Sequence, residues 1–208
     1  MKDAVLYIHG KGGSAAECEH YRTLFPDCEV FGLDYQTFTP WETGAEIRAA
    51  VEKLKDEYKS IILIANSIGA YFSMVAGING MIRAACFISP IVDMEKLIGG
   101  MMARALVTEA ELEEKGVIVT ASGEELSWAY LRSVRDHPAV WTVPTWILYG
   151  KNDSLTPPEI IRGFVKEHNA ALTVMERGEH WFHTDEQMRF LDDWIAAIQP
   201  ALFSPAGD

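Results

Sequence analysis

Six short apolar runs, Ala4–His9, Glu29–Leu33, Ile61–Ala65, Ala84–Ile88, Thr145–Tyr149 and Leu172–Met175, recur along this chain, and helical patterns lie between most of them. Strand-length runs alternating with helix-length segments direct a chain into a parallel α/β sheet with crossover helices. Ile61-Ile-Leu-Ile-Ala shows this most openly, being apolar without alternation, as a strand buried on both faces must be. The helix starts are signed as well. Thr39-Pro-Trp-Glu42 and Thr156-Pro-Pro-Glu159 each place a capping threonine before a proline at the first helical position, and Thr184-Asp-Glu-Gln187 is a capping box. Behind the first of these, Trp41, Ala45, Val51, Leu54 and Tyr58 keep roughly helical spacing; behind the last, Met188, Leu191, Ile195 and Ile198 do so.

One interval breaks the alternation. About fifty residues separate the run ending at Ile88 from the one starting at Thr145, far more than a crossover helix needs. Met94, Leu97, Ile98, Met101, Met102, Ala105 and Leu106 follow helical spacing there, around Gly99-Gly100. A second helix is expected from Thr108-Glu-Ala-Glu111 to near Gly116, and a third from Ser122-Gly-Glu-Glu125. Residues 92–141 therefore read as a helical insertion, placed as a cap over the functional edge or, more plainly, as helices that pad the core. No internal repeat or break in composition divides the chain, so 1–208 is read as one domain.

Charge excludes some partners. With 18 Lys and Arg against 30 Asp and Glu, the net charge of −12 repels phosphate backbones and offers no basic stripe for nucleic acid or anionic lipid. Cys18, Cys28 and Cys86 are odd in number and lack C-x-x-C spacing, so they are read as reduced thiols rather than as a disulfide frame or a zinc site. No run approaches the ~18 apolar residues of a membrane span, and the first residues lead directly into a strand; a cytoplasmic location is the expectation.

The Ile61 run ends in Ala65-Asn-Ser67-Ile-Gly69. Small residues two positions either side of a serine let a strand turn sharply into a helix and leave the hydroxyl exposed at a strained apex. Ser67 is thus a candidate nucleophile, an unreactive helix N-cap being the plainer alternative. A serine hydroxyl attacks poorly unless an imidazole takes its proton and a carboxylate orients that imidazole. Two later loops carry such groups: Asp153 follows the Thr145 strand, and His180 follows the Leu172 strand. Loops at the carboxyl ends of parallel strands gather on one edge, so the three can meet. Asp153 alone could be a turn residue in Asn-Asp-Ser. His180 is preferred to His183 because it follows the Gly178 turn directly, whereas His183 stands just before the Thr184 cap. His180, His183, Asp185 and Glu186 lie close in sequence, yet no further ligand stands at a supportive spacing, so no metal is expected. His9 reads as a structural loop residue.

The ordered motifs Tyr7-Ile-His-Gly10-Lys-Gly-Gly, Ala65-Asn-Ser67-Ile-Gly69, Gly150-Lys-Asn-Asp153 and Gly178-Glu-His180 resemble those of the α/β-hydrolase superfamily of serine hydrolases, over nearly the whole chain. The resemblance implies a three-layer α/β/α fold with a mainly parallel six-stranded sheet, lacking the family's two N-terminal strands and carrying a helical cap insertion. It implies Ser67 as nucleophile, Asp153 as acid, His180 as base, and the backbone N–H groups of Lys11 and Ile68 as oxyanion hole. Ala65 and Asn66 depart from the family's usual elbow. The implied activity is cleavage of carboxylic ester-type bonds of a small substrate by acyl transfer to Ser67, with no cofactor. A peptidase or amidase with the same triad is the alternative within enzymes, and a non-catalytic binding module on the same fold the alternative outside them. Met101, Met102, Trp128 and Trp181 are candidates for an apolar substrate pocket, and equally for core. The sequence leaves the oligomeric state open.

Overall fold

The structure is a computed structural model that describes residues 1–204. In chain order the elements are β1 (Asp3–Ile8), α1 (Cys18–Arg22), β2 (Cys28–Gly32), α2 (Pro40–Glu57), β3 (Ile61–Asn66), α3 (Ile68–Val75), β4 (Ala84–Ile88), α4 (Met94–Ala105), α5 (Glu109–Lys115), β5 (Val117–Val119), β6 (Glu125–Ser127), α6 (Trp128–Asp136), β7 (Thr145–Gly150), α7 (Pro158–His168), β8 (Ala171–Met175) and α8 (Asp185–Phe203). Six strands form one sheet in the order β2-β1-β3-β4-β7-β8. Every pairing in it is parallel, with Ala65 opposite Ile8 on one side and Phe87 on the other.

Alternate strand residues feed two cores, as the two-residue period of a pleated strand requires. Leu6, Ile8, Leu63, Phe87 and Ile147 face a layer that holds Ile47 and Val51 of α2, Phe72 of α3 and Ile161 of α7. Val5, Tyr7, Ile62, Ile64 and Leu148 face the opposite layer, made by Tyr21 of α1 and Leu191, Ile195 and Ile198 of α8. The chain is thus three layers deep with the sheet in the middle. No helix among the described residues is long and apolar enough to cross a membrane.

The caps largely follow the sequence. Thr39, Thr108 and Thr184 accept hydrogen bonds from the N–H groups of Glu42, Glu111 and Gln187. Thr156 does not cap: Pro157 occupies that place with no side-chain bond, and the Thr156 hydroxyl donates to the Pro90 carbonyl at 3.3 Å. The expected third helix of the insertion is also displaced. Ser122-Gly-Glu-Glu125 closes a hairpin of β5 and β6, with Thr120 N–H donating to the Glu124 carbonyl at 2.8 Å, and α6 begins only at Trp128 behind the Ser127 cap. Val117-Ile-Val supplies the β-branched strand, and Gly123 takes the left-handed φ of +81° that the turn needs. The 92–141 interval therefore carries α4, α5, a two-stranded hairpin and α6.

Candidate active site

Ser67 stands between β3 and α3 with φ 53° and ψ −120°, a conformation that costs an L-residue of order 1–3 kcal/mol. Neighbouring backbone holds it there. Ser67 N–H donates to the Ile88 carbonyl at 3.0 Å, and its own carbonyl accepts from Ile91 N–H at 3.0 Å, so the end of β4 grips the apex from both sides. Gly69 explains the small-residue rule: a Cβ there would stand 2.6 Å from the His9 carbonyl oxygen and 2.8 Å from that of Ile8. Only a glycine lets α3 start this close to the end of β1.

Asp153 and His180 come from β7 and β8, at the same sheet edge. β8 lies three strand spacings from β3, about 14 Å. The loop after β8 must therefore lean back across β7 and β4. It is fixed to the loop after β7 by Lys151 N–H donating to the Met175 carbonyl (2.9 Å) and Asn152 N–H to the Gly178 carbonyl (2.8 Å). His180 Nε2 then lies 2.8 Å from Ser67 Oγ, and His180 Nδ1 lies 2.7 Å from Asp153 Oδ2. The Asp153 side chain is wholly buried, and its Oδ1 accepts the N–H groups of Leu155 (2.7 Å) and Thr156 (2.9 Å). A carboxylate so placed only accepts, so in a neutral imidazole Nδ1 carries the proton and Nε2 is left to accept from the serine hydroxyl. Beneath the acid loop, Tyr149 donates to the Thr156 carbonyl at 2.7 Å; burial, and then the Asp153 charge, push its hydroxyl up to about 12. It stays a donor at neutral pH.

The loop after β1 lies against the elbow, since a Cβ at Gly10 would be 3.1 Å from Ser67 Cβ. Lys11, which follows, is exposed, and Ile68 is the first residue of α3, where a helix leaves its N–H free of intrahelical partners. His9 is buried, stacks on Tyr35 at 4.1 Å, and donates from Nδ1 to the Gly10 carbonyl at 2.8 Å. Tyr35 in turn donates to the His9 carbonyl. Burial pushes the Tyr35 hydroxyl far above its ordinary value, so that bond persists at any working pH.

The structure brings Ser67, Asp153 and His180 together and keeps His183 apart. The His183 ring stacks on Trp181 and lies 2.8 Å from that residue's carbonyl through Nδ1. Trp181 itself is 68% exposed, so it is a surface side chain and not the wall of a covered apolar pocket. Met102 is buried in the core and lines a cavity of about 410 Å³ with Leu131 and Arg135, while Met101 and Trp128 are half-buried against the same core. No group of three or more metal-ligating side chains is arranged around a common point among the described residues.

Two residues escaped the sequence reading. Ser89 has φ 43°, is fully buried, and its hydroxyl has no partner among the described residues. Tyr35 clamps the loop after β1 through the His9 carbonyl. Both follow the carboxyl ends of strands, β4 and β2, and that position is the one signal that marks them in sequence.

The sheet order, the strained serine turn and the acid and histidine loops define the α/β-hydrolase fold, and solved structures agree. Est1E from Butyrivibrio proteoclasticus superposes with a TM-score of 0.77 at 18% identity, covering 98% of this chain and 89% of that one. Alpha/beta hydrolase domain-containing protein 10 from mouse gives a TM-score of 0.73 at 17% identity, covering 96% and 90%. The type II thioesterase BorB of the borrelidin biosynthetic cluster gives 0.64 at 14%, covering 97% and 93%. No family model and no curated protein matches the sequence.

Proposed function

We propose that this chain is a serine hydrolase that cleaves carboxylic ester-type bonds of a small substrate through an acyl-enzyme on Ser67. One observation carries the reading: a strained, partly exposed serine lies 2.8 Å from an imidazole whose other nitrogen lies 2.7 Å from a buried carboxylate. As Ser67 Oγ attacks the ester carbonyl, His180 Nε2 takes its proton and Asp153 stabilises the resulting imidazolium. The carbonyl oxygen gains negative charge facing the Lys11 and Ile68 N–H groups. His180 then returns the proton to the departing alcohol. Water, deprotonated by the same nitrogen, attacks the acyl carbonyl and releases acid and free Ser67. Two backbone N–H groups on its other oxygen hold the Asp153 carboxylate in place toward His180. The structural neighbour named as a type II thioesterase acts within related ester-type chemistry, which supports the reading.

The test is a panel of p-nitrophenyl esters with aminoacyl-anilides beside them. Ester turnover should vanish in Ser67→Ala with the fold intact by circular dichroism. His180→Ala should lose roughly 10³-fold or more in kcat/KM and His183→Ala much less. Larger loss from His183→Ala would transfer the base to that residue, and turnover of anilides above esters would favour the amidase reading.

A further inference from the structure

We propose that Glu17 and Tyr7 are positioning residues that set the oxyanion loop. This rests on the serine-hydrolase reading. The loop Gly10-Lys-Gly-Gly13 contains three glycines, so its backbone loses much freedom when fixed, and something must fix it. One end is held by Tyr35 on the His9 carbonyl. The other end is held by Glu17, whose Oε1 accepts Ser14 N–H at 3.1 Å. The carboxylate presses directly on the loop: a Cβ at Gly13 would stand 2.7 Å from Oε1.

A glutamate three residues behind Ser14 would by itself be an ordinary capping contact for the short 3-10 turn Ala15–Glu17. What sets it apart is the group beneath. Tyr7, 1% exposed and on the strand that leads into the loop, donates its hydroxyl to the other oxygen, Oε2. Burial, then Tyr21 and Glu17, hold the Tyr7 hydroxyl far above its ordinary value, so it remains a donor. The loop lies against the backbone just before Ser67, the Asn66 carbonyl oxygen standing 3.4 Å from where a Gly10 Cβ would be. A single buried hydroxyl thus ties the carboxylate that fixes the loop to the strand that leads into it. Because the oxyanion forms between Lys11, on this loop, and Ile68, at the start of α3, a small loop displacement moves one donor relative to the other.

The experiment compares Tyr7→Phe, Glu17→Ala and Glu17→Gln with wild type. Tyr7→Phe preserves the ring that fills the core, and Glu17 is exposed, so both sites tolerate change. Tyr7→Phe and Glu17→Ala should lower kcat at least about tenfold with KM within about twofold, a fraction of the 10²–10³ lost with a whole oxyanion donor. Affinity for a trifluoromethyl ketone, which forms the oxyanion, should fall in the same proportion. Glu17→Gln, which keeps an acceptor for Ser14 N–H, should retain more than half of kcat. In all three, hydrogen exchange at residues 10–14 reads the loop directly, and Tyr7→Phe and Glu17→Ala should accelerate it without changing exchange in the sheet. Wild-type kcat, ketone affinity and loop exchange in Tyr7→Phe and Glu17→Ala would overturn the proposal while leaving the triad reading standing. Turnover that survives Ser67→Ala would instead overturn the hydrolase reading, whatever the loop exchange shows.

Discussion

Ser67 is held in a backbone conformation that serine does not choose, and its neighbours must carry the strain. Gly69 is the most exacting of them, because the contacts its missing Cβ avoids are backbone carbonyls, which cannot rotate away. Gly69→Ala should therefore cost about 1–3 kcal/mol as an overpacked site, and activity should fall by more than the folded fraction does, because the displaced helix start carries Ile68 N–H. Thermal unfolding and kcat measured on the same sample check this; an unchanged kcat would show that the helix start does not set the site. The cysteines make a second residue-scale case. Cys86 is fully buried, and burial pushes its thiol and that of Cys18 up, while burial followed by the charges of Asp3 and Asp27 brings Cys28 to about 11. Thiolate is then scarce at pH 8, so the native protein should react slowly with Ellman's reagent and release the full colour of its 3 thiols only when unfolded. A fast native reaction would contradict this account of the three sites. That Ser67, Asp153 and His180 could meet was legible at this scale because each follows a strand at a place fixed by chain order. Ser89, Tyr35 and the Tyr7–Glu17 contact were not, because what singles them out is burial or a partner across the fold rather than a motif.

Elements were legible where local chemistry decides and less so where two signals compete. Thr39, Thr108 and Thr184 capped as their spacing implied, since a cap is formed within four residues. Ser122-Gly-Glu-Glu125 carried a helix-start pattern, but the β-branched Val117-Ile-Val before it and Gly123 within it favour a hairpin, and tertiary pairing chose the hairpin. In α4 the glycine pair has no steric cause: a Cβ at Gly99 would meet nothing within 4 Å. Gly99→Ala should therefore stabilise by about 0.8–1.0 kcal/mol through helix propensity alone, raising Tm by about 2–4 °C. A fall in Tm would reveal a packing demand on that side of the helix. Met102 behaves oppositely. It is 5% exposed, so Met102→Ala should cost about 2–5 kcal/mol, whereas the half-buried Met101 should cost clearly less. A changed ester chain-length preference without loss of Tm in Met102→Ala would instead assign the side chain to the substrate.

At the scale of the whole molecule, topology does the assembling. Parallel strands carry every carboxyl end to one edge, so residues 113 positions apart in sequence, Ser67 and His180, meet at 2.8 Å. The alternation of apolar runs made this sheet readable in advance, including its six strands, because burial on both faces leaves an uninterrupted apolar signature. How the insertion packs could not be read in the same way, since an apolar stripe at helical spacing fits a core or a binding surface equally. The central claim is that bond cleavage passes through a covalent acyl group on Ser67. The most direct measurement is acid quenching of wild type within the first turnovers of p-nitrophenyl butyrate, followed by intact-mass and peptide analysis. A butyryl adduct on the Ser67 peptide, lost in Ser67→Ala together with turnover, is the expected result. An adduct on another residue, or ester hydrolysis that continues in Ser67→Ala, would contradict it.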